Sequence, residues 1–159
     1  SSSFIRLGCS LSSFDVALEK LYSARILAVV HLILGLPGEH LTDMLQTVNY
    51  LNHQPVWGVK LQLLHILKDT DLEQYWRQDP DFYGSFRTLS LYLEALISCL
   101  EHLRPDMVIH RITGDAPRPL LLAPLWSAHK RHVLNTLHKQ MKEQGSYQGK
   151  HYNDGKNYC

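Results

Sequence analysis

Between Ile26 and Leu34 the chain runs Ile-Leu-Ala-Val-Val-His-Leu-Ile-Leu and then breaks into Gly35-Leu36-Pro37-Gly38-Glu39. An apolar run of this length, without regular polar alternation, reads as a strand buried on both faces. In soluble proteins that means a central parallel strand covered by helices. Such sheets bind their ligands where the strands end and the following loops begin. The Gly35–Glu39 segment is therefore the first place to look for function.

The flanking sequence supplies the helices. Ser12 or Ser13 is placed to cap a helix carrying Phe14, Ala17, Leu18 and Leu21 on one face, with Ser12 and Asp15 at capping-box spacing. Leu41, Leu45, Val48 and Leu51 mark a second helix that ends near Asn52, and Trp57–Ile66 reads as a second strand after Pro55. A charged, aromatic stretch follows from Asp69 to Arg87. Leu89, Leu93, Leu96, Leu100 and Leu103 then repeat on one helical face until Pro105 stops them. Met107–Ile112 is a short third strand and Ala116–Pro124 a Pro-rich loop. A last helix over Ala128–Gln144 has Val133, Leu134, Leu137 and Met141 on one side and a basic other side. The tail Gly145–Cys159 is expected to be loosely ordered. Helices alternate with strands, and the crossovers are long enough to join parallel strands, so the fold class is α/β.

At 159 residues the chain can bury roughly 70% of its unfolded surface in one core. A net charge of +1 gives no global reason to expect nucleic acid. Cys9, Cys99 and Cys159 are scattered, with no Cys-x-x-Cys pair, which suits a reducing cytosol rather than a disulfide framework. No apolar stretch approaches 18 residues, so no membrane span is expected. Ser1-Ser2-Ser3-Phe4-Ile5-Arg6 lacks both an initiator Met and the layout of a signal peptide, and reads as a cut end.

Chemistry concentrates in the strands. Lys60 and Gln62 share one face with Leu64, while Val59, Leu61, Leu63 and His65 share the other. The Lys60 face points either into a polar barrel lumen or, if the strand is an edge, into solvent. His110-Arg111-Ile112-Thr113-Gly114-Asp115 places ionisable groups at a strand end, either as a functional cluster or as an Arg111–Asp115 ion pair bracing a Gly turn. His129 and His132 sit beside Lys130 and Arg131 without an acidic or Cys neighbour, which reads as a solvated basic face rather than a metal site. No Ser nucleophile elbow, Walker A loop or dinucleotide fingerprint is present.

Four segments together resemble one family: His31–Glu39, Gly58–Thr70, Val108–Ala116 and Leu121–Trp126. They look like the C-terminal half of a bacterial radical SAM iron–sulfur protein, of the group related to oxygen-independent coproporphyrinogen oxidases. The resemblance covers about residues 4–150 and implies the later part of a partial (β/α)6 TIM-like barrel over residues 1–127. A basic amphipathic helix and tail would follow over residues 128–159. Ile26–Leu34 would be the fifth strand, Trp57–Ile66 the sixth, and His110–Ala116 part of a C-terminal extension. In that family three cysteines near the first strand hold a [4Fe–4S] cluster, whose open iron binds S-adenosylmethionine and cleaves it to a 5′-deoxyadenosyl radical. The resemblance implies that Ile33, Gly35, Pro37, Lys60, Gln62, His65, Lys68 and Thr70 line the cofactor site. It implies substrate positioning for His110, Arg111 and Asp115.

Departures from the family pattern shape the functional expectation. No cysteine set with cluster spacing is present, so the chain alone is expected not to cleave S-adenosylmethionine. Asp69 stands where related sequences have Gly, Gln62 where they have His, and Arg6-Leu7-Gly8-Cys9 in place of Asn-Arg-Gly-His. Half a barrel would also leave the Ile26–Leu34 strand with an unpaired edge. The missing N-terminal half-barrel, another chain or the Ser1–Leu11 segment is the expected cover. The alternative function is a non-catalytic α/β module that binds a protein partner.

Overall fold

The computed structural model describes residues 10–84 and 86–153. Cys9, Cys159, the Arg6–Cys9 segment and most of Ser1–Leu11 lie outside them. Helix α1 (Leu11–Ser23) leads to β1 (Val29–Leu34), α2 (Leu41–Asn52), β2 (Gly58–Leu63) and β3 (Ile66–Leu67). Then come α3 (Asp71–Gln78), α4 (Pro80–Tyr83), α5 (Leu89–His102), β4 (Val108–Arg111), β5 (Leu121–Ala123), a 3₁₀ turn (Leu125–Ala128) and α6 (Lys130–Glu143). Among the described residues no helix is long and apolar enough to cross a membrane.

The main sheet is parallel, in the order β1-β2-β4. Its helix-covered face is the core: Leu32 and Leu34 from β1 and Val59, Leu61 and Leu63 from β2 meet Met44, Val48 and Leu51 of α2. Leu93, Leu96 and Leu100 of α5, with Val133 and Leu137 of α6, complete the same cluster. The period-3.6 leucines of α5 therefore lie where their spacing predicts. At the junction of α2 and α5, buried Asn52 donates to His102 O at 2.9 Å and accepts from Arg104 N at 2.9 Å, and Arg104 Nη1 donates to Asn52 O and Gln54 O. These bonds satisfy the carbonyls of a chain reversal that has no regular structure.

Several expectations are corrected. The Ile26–Leu34 strand is shorter and is not buried on both faces: Ile26 and Leu27 are exposed, and exposed His31 and Ile33 alternate with buried Leu32 and Leu34. Arg25 adopts φ +58°, and the Arg25 N to Tyr22 O and Ile26 N to Leu21 O bonds turn the chain out of α1 before pairing begins. Among the described residues helices cover one face only, and none lies over the other side of β1. Trp57–Ile66 is not one strand, because Leu64 and His65 leave the sheet where β1 ends. Ile66–Leu67 then pairs antiparallel with β5, inside the segment expected to be loop. The edge-strand alternative for Lys60 and Gln62 also fails, since β2 is the central strand.

Helix details shift as well. Ser10, not Ser12 or Ser13, caps α1, accepting from Ser13 N at 3.2 Å, and Asp15 instead accepts from the Tyr50 hydroxyl. On α2 the buried face is Met44, Val48 and Leu51, while Leu41 is exposed. The Asp69–Arg87 stretch holds α3 and α4, capped by Thr70 and Asp79. The tail is strapped down through residue 153. Gln148 Nε2 donates to Arg104 O and Met107 O, and Gly149 N donates to Leu100 O. Gly149, at φ +82°, sits so close to Pro105 that a Cβ would lie 2.6 Å from its Cγ.

Candidate functional site

The loop after β1 is closed by its own glutamate. Gly35 and Gly38 take φ of +79° and +71°, which only glycine adopts without strain. The turn they make brings the Glu39 carboxylate back to accept from Gly35 N at 2.8 Å and Leu36 N at 2.9 Å. Burial pushes the Glu39 carboxyl above its ordinary range, and the two backbone donors pull against that shift. Gly38 is further held by the Phe82 ring, 3.1 Å from where a Cβ would stand.

Beside this loop lies the open face of the sheet. Parallel register sets His31 against Lys60 and Ile33 against Gln62, and Lys60 is also opposite Arg111. His31, Ile33, Lys60 and Gln62 thus share one face. Lys60 and Gln62 are half-buried, and Ile33 is 37% exposed. The structure brings together Ile33, Gly35, Pro37, Lys60 and Gln62 as a strip running up to the Gly35–Glu39 loop. Lys68 and Thr70 lie off it. Lys68 is exposed, with its N–H on Leu120 O, and Thr70 is occupied as a helix cap between Leu67 O and Glu73 N. Asp69 keeps the turn at φ +61°, a conformation Asp tolerates better than most residues.

His65 belongs to a second junction. Its Nε2 is 3.0 Å from Ser127 Oγ, and Ser127 donates its one hydroxyl proton to Pro124 O at 2.7 Å, so Nε2–H is the donor toward Ser127. The ring packs close against Gly114: a Cβ there would be 2.1 Å from His65 Cε1, so any larger residue would displace the imidazole. Burial lowers the His65 pKa, with Lys130 reinforcing the shift and Asp115 opposing it. The Lys130 ammonium bonds Asp115 and holds its carboxyl below the usual range, with Arg111 3.7 Å away on the other side. The Arg111–Asp115 pair is therefore present but exposed to solvent, where screening leaves it little weight in stability. His110 is elsewhere. It packs edge-on to Trp57 at 5.2 Å and over Gly58, about 16 Å of strand from the Gly35 end.

Sequence reasoning passed over a cavity of about 360 Å³ beyond the carboxyl ends of β1 and β2. Trp76, Tyr83, Phe86 and Trp126 wall it, and Gly35 and Leu64 reach it from the strands. The one signal was the density of aromatics in the Asp69–Arg87 stretch. A wider hollow at the start of α6 is lined by Arg118, His129, Lys130, Arg131 and His132.

Among the described residues the thiol inventory is a single cysteine, Cys99. An iron–sulfur cluster takes several thiolates, whereas Cys99 is buried within α5 and burial pushes its thiol up to about 12. Among the described residues no group of three or more His, Cys, Asp or Glu is placed to hold a metal.

Comparison with known proteins finds relatives over most of the chain. An uncharacterised protein of Bacillus subtilis strain 168, YtqA, is 36% identical over 135 residues, covering 84% of this chain and 41% of the relative. MJ0486 of Methanocaldococcus jannaschii is 31% identical over 146 residues, covering 89% and 44%. YhcC of Escherichia coli K12 is 34% identical over 117 residues, covering 72% and 36%. The chain thus spans less than half the length of these curated relatives. Residues 56–143, more than half of the sequence, match the Radical_SAM C-terminal domain. The chain belongs to that family.

Proposed function

We propose that this chain is the C-terminal portion of a radical SAM enzyme, of the group related to oxygen-independent coproporphyrinogen oxidases. In this reading its main sheet is the later part of a partial (β/α)6 barrel. The observation that carries it is the two-sided sheet. Helices cover one face, while His31, Lys60 and Gln62 stand on the other as lumen residues do when helices ring a barrel. Among the described residues β1 pairs only with β2, so its outer edge is free to receive a preceding strand. The first four barrel strands, in the same polypeptide or supplied by another chain, are the proposed cover.

In the complete barrel, S-adenosylmethionine supplies the 5′-deoxyadenosyl radical from a cluster held by the N-terminal half. This chain's own residues bind and orient. Gly35 and Pro37 shape the loop on the adenosyl side, with Ile33 beside them on the lumen wall. Lys60 and Gln62 offer a cation and an amide along the same wall, and His65, neutral and fixed by Ser127, braces the mouth. Arg111 and Asp115 sit at the substrate end of that brace.

The test is anaerobic reconstitution with iron, sulfide and S-adenosylmethionine. The 159-residue chain should form no cluster chromophore and no 5′-deoxyadenosine. A chain extended by an N-terminal half-barrel bearing three cluster cysteines should form both. Cluster formation and turnover by the short chain would overturn the reading. A second reading, a non-catalytic module docking a protein along β1, is favoured by the same free edge. It requires the chain to melt cooperatively and without light scattering, and to give no turnover even when extended.

A further inference from the structure

We propose that the aromatic-walled cavity beyond the carboxyl ends of β1 and β2 binds an uncharged planar ring compound, aromatic or conjugated. That compound is the substrate class of the chemistry proposed above. The inference rests on that reading for the word substrate, but the binding itself does not.

The cavity's size, about 360 Å³, lies within the roughly 300–1,000 Å³ typical of small-molecule sites. Its location matters as much, because α/β sheets bind ligands beyond the carboxyl ends of their strands. Gly35 is shared between this cavity and the loop closed by Glu39, so a bound ring would lie directly beside the proposed cofactor strip.

The chemistry of the walls selects the ligand. Trp76 and Tyr83 come from α3 and α4 on one side, Phe86 and Trp126 from the other, and all four are only half-buried although all are large aromatics. Tyr83 also stacks on Tyr75 at 5.7 Å and meets Phe82 edge-on at 4.9 Å, so the lining belongs to an aromatic cluster, and half-buried rings lining a hollow favour another flat ring, stacked or edge-on. One wall is fixed in advance: Trp126 Nε1 donates to Phe86 O at 3.1 Å, and the buried Tyr92 ring packs on both Phe86 and Trp126, at 5.2 and 5.4 Å. A wall that needs no ordering on binding favours affinity. Opposite it, Gly84 lets the backbone approach the Trp76 indole; a Cβ there would stand 3.2 Å from Trp76 Nε1.

Charge points the same way. Of the described residues that line the cavity, Asp81 and Arg87 are the charged ones, and they pair with each other at its rim. Neither offers an uncompensated charge to a ligand, so the site suits a neutral ring rather than an anion or cation.

The three tryptophans give a direct readout. Trp76 and Trp126 line the cavity, whereas Trp57 stands against His110 at the other end of the sheet. The chain is titrated with 2-naphthalenemethanol while the three indole N–H signals are followed by NMR. Saturable shifts are expected at Trp76 and Trp126, with none at Trp57. The saturated analogue, decahydronaphthalene-2-methanol, should bind about fivefold or more weakly, and 2-naphthoate should bind no more tightly than the alcohol. Trp76→Ala, a half-exposed position outside the core, should weaken the naphthalene alcohol by a similar factor. The proposal is overturned by no saturable shift, by equal shifts at all three indoles, or by equal affinity for the saturated ring. The titration needs neither cluster nor S-adenosylmethionine. Its failure removes the ligand assignment, whereas failed turnover by the extended chain removes the radical SAM reading.

Discussion

Along β2, Val59, Leu61 and Leu63 are almost wholly buried, while Lys60 and Gln62, one residue along, are half open. The same alternation runs through β1, with Leu32 and Leu34 inside and His31 and Ile33 outside. One face is the interior of a finished α/β layer, closed by α2, α5 and α6 of the same chain. The other has strand register, partial polarity and no layer above it among the described residues. On this open face the edge strand's His31 is exposed, while Lys60 and Gln62 of the central strand are half-buried between their neighbours.

The sharpest way to break this contrast is a pair of neighbours. Leu61→Ala removes a fully buried side chain from the covered face and should cost about 2–5 kcal/mol. Gln62→Ala on the open face should change stability by no more than about 0.5 kcal/mol in the isolated chain. Urea unfolding measures both. Equal losses would mean that the open face is packed against something, and the comparison would fall.

The Glu39 carboxylate marks where the two faces meet at the mouth. Glu39→Ala strips the acceptor from Gly35 N and Leu36 N, and leaving such groups unsatisfied costs about 1–3 kcal/mol. The loss should be accompanied by faster hydrogen exchange at those two amides. A destabilised protein with unchanged exchange there would show that Glu39 acts through the α2 start rather than through the loop.

The His65 junction sharpens the comparison through pH. Its folded pKa is lowered below the ordinary 6.5, so in the window below 6.5 the unfolded chain binds the proton more readily. Stability contributed by neutral His65 is full above 6.5 and is lost as pH falls from there toward the folded value. His65→Gln keeps a donor for Ser127 and removes the titration. Thermal melts across this range should therefore fall less steeply for the variant than for the parent. Identical slopes would mean that the imidazole is as well hydrated as in the unfolded chain.

How much of this was legible depended on whether local pattern or tertiary packing set the outcome. The α5 leucines and the Lys60/Gln62 alternation were readable because period 3.6 and period 2 are direct images of helix and strand. The two faces of β1 were not, because burial there is decided by helices placed far away in sequence. The β3–β5 ribbon, strands of two and three residues, has no periodic signature and exists through pairing across the fold. Helices α3 and α4 were missed for lack of an apolar stripe, although Thr70-Asp71-Leu72-Glu73 spelled a capping box before the first. The expectation that residues of β1 and β2 line a cofactor site came from the family resemblance, whereas the aromatic cavity gathers residues 76, 83, 86 and 126 by topology alone. The place of His110 against Trp57 and Gly58 was not legible either, because it depends on the register shift between Val59 and Lys60 in the β2–β4 pairing.

A small effect is expected at Arg25 and Asp69, the non-glycine residues with positive φ among the described residues. Asp69, at φ +61°, stands on the mouth side after β3, and Arg25, at φ +58°, precedes β1 at the opposite end. An L-residue in this conformation is strained by about 1–2 kcal/mol, and glycine relieves it while costing entropy in the unfolded chain. Asp is among the residues that tolerate the region, so Asp69→Gly should raise stability by only a few tenths of a kcal/mol, and Arg25→Gly by about 1 kcal/mol. Both are read from unfolding midpoints. A loss of stability at Asp69 would mean that its side chain, and not only its N–H bond to Glu73, holds the turn that leads into the wall of the aromatic cavity. The mouth would then be tuned by the Asp that stands there, and Gly would no longer be the natural choice for that turn.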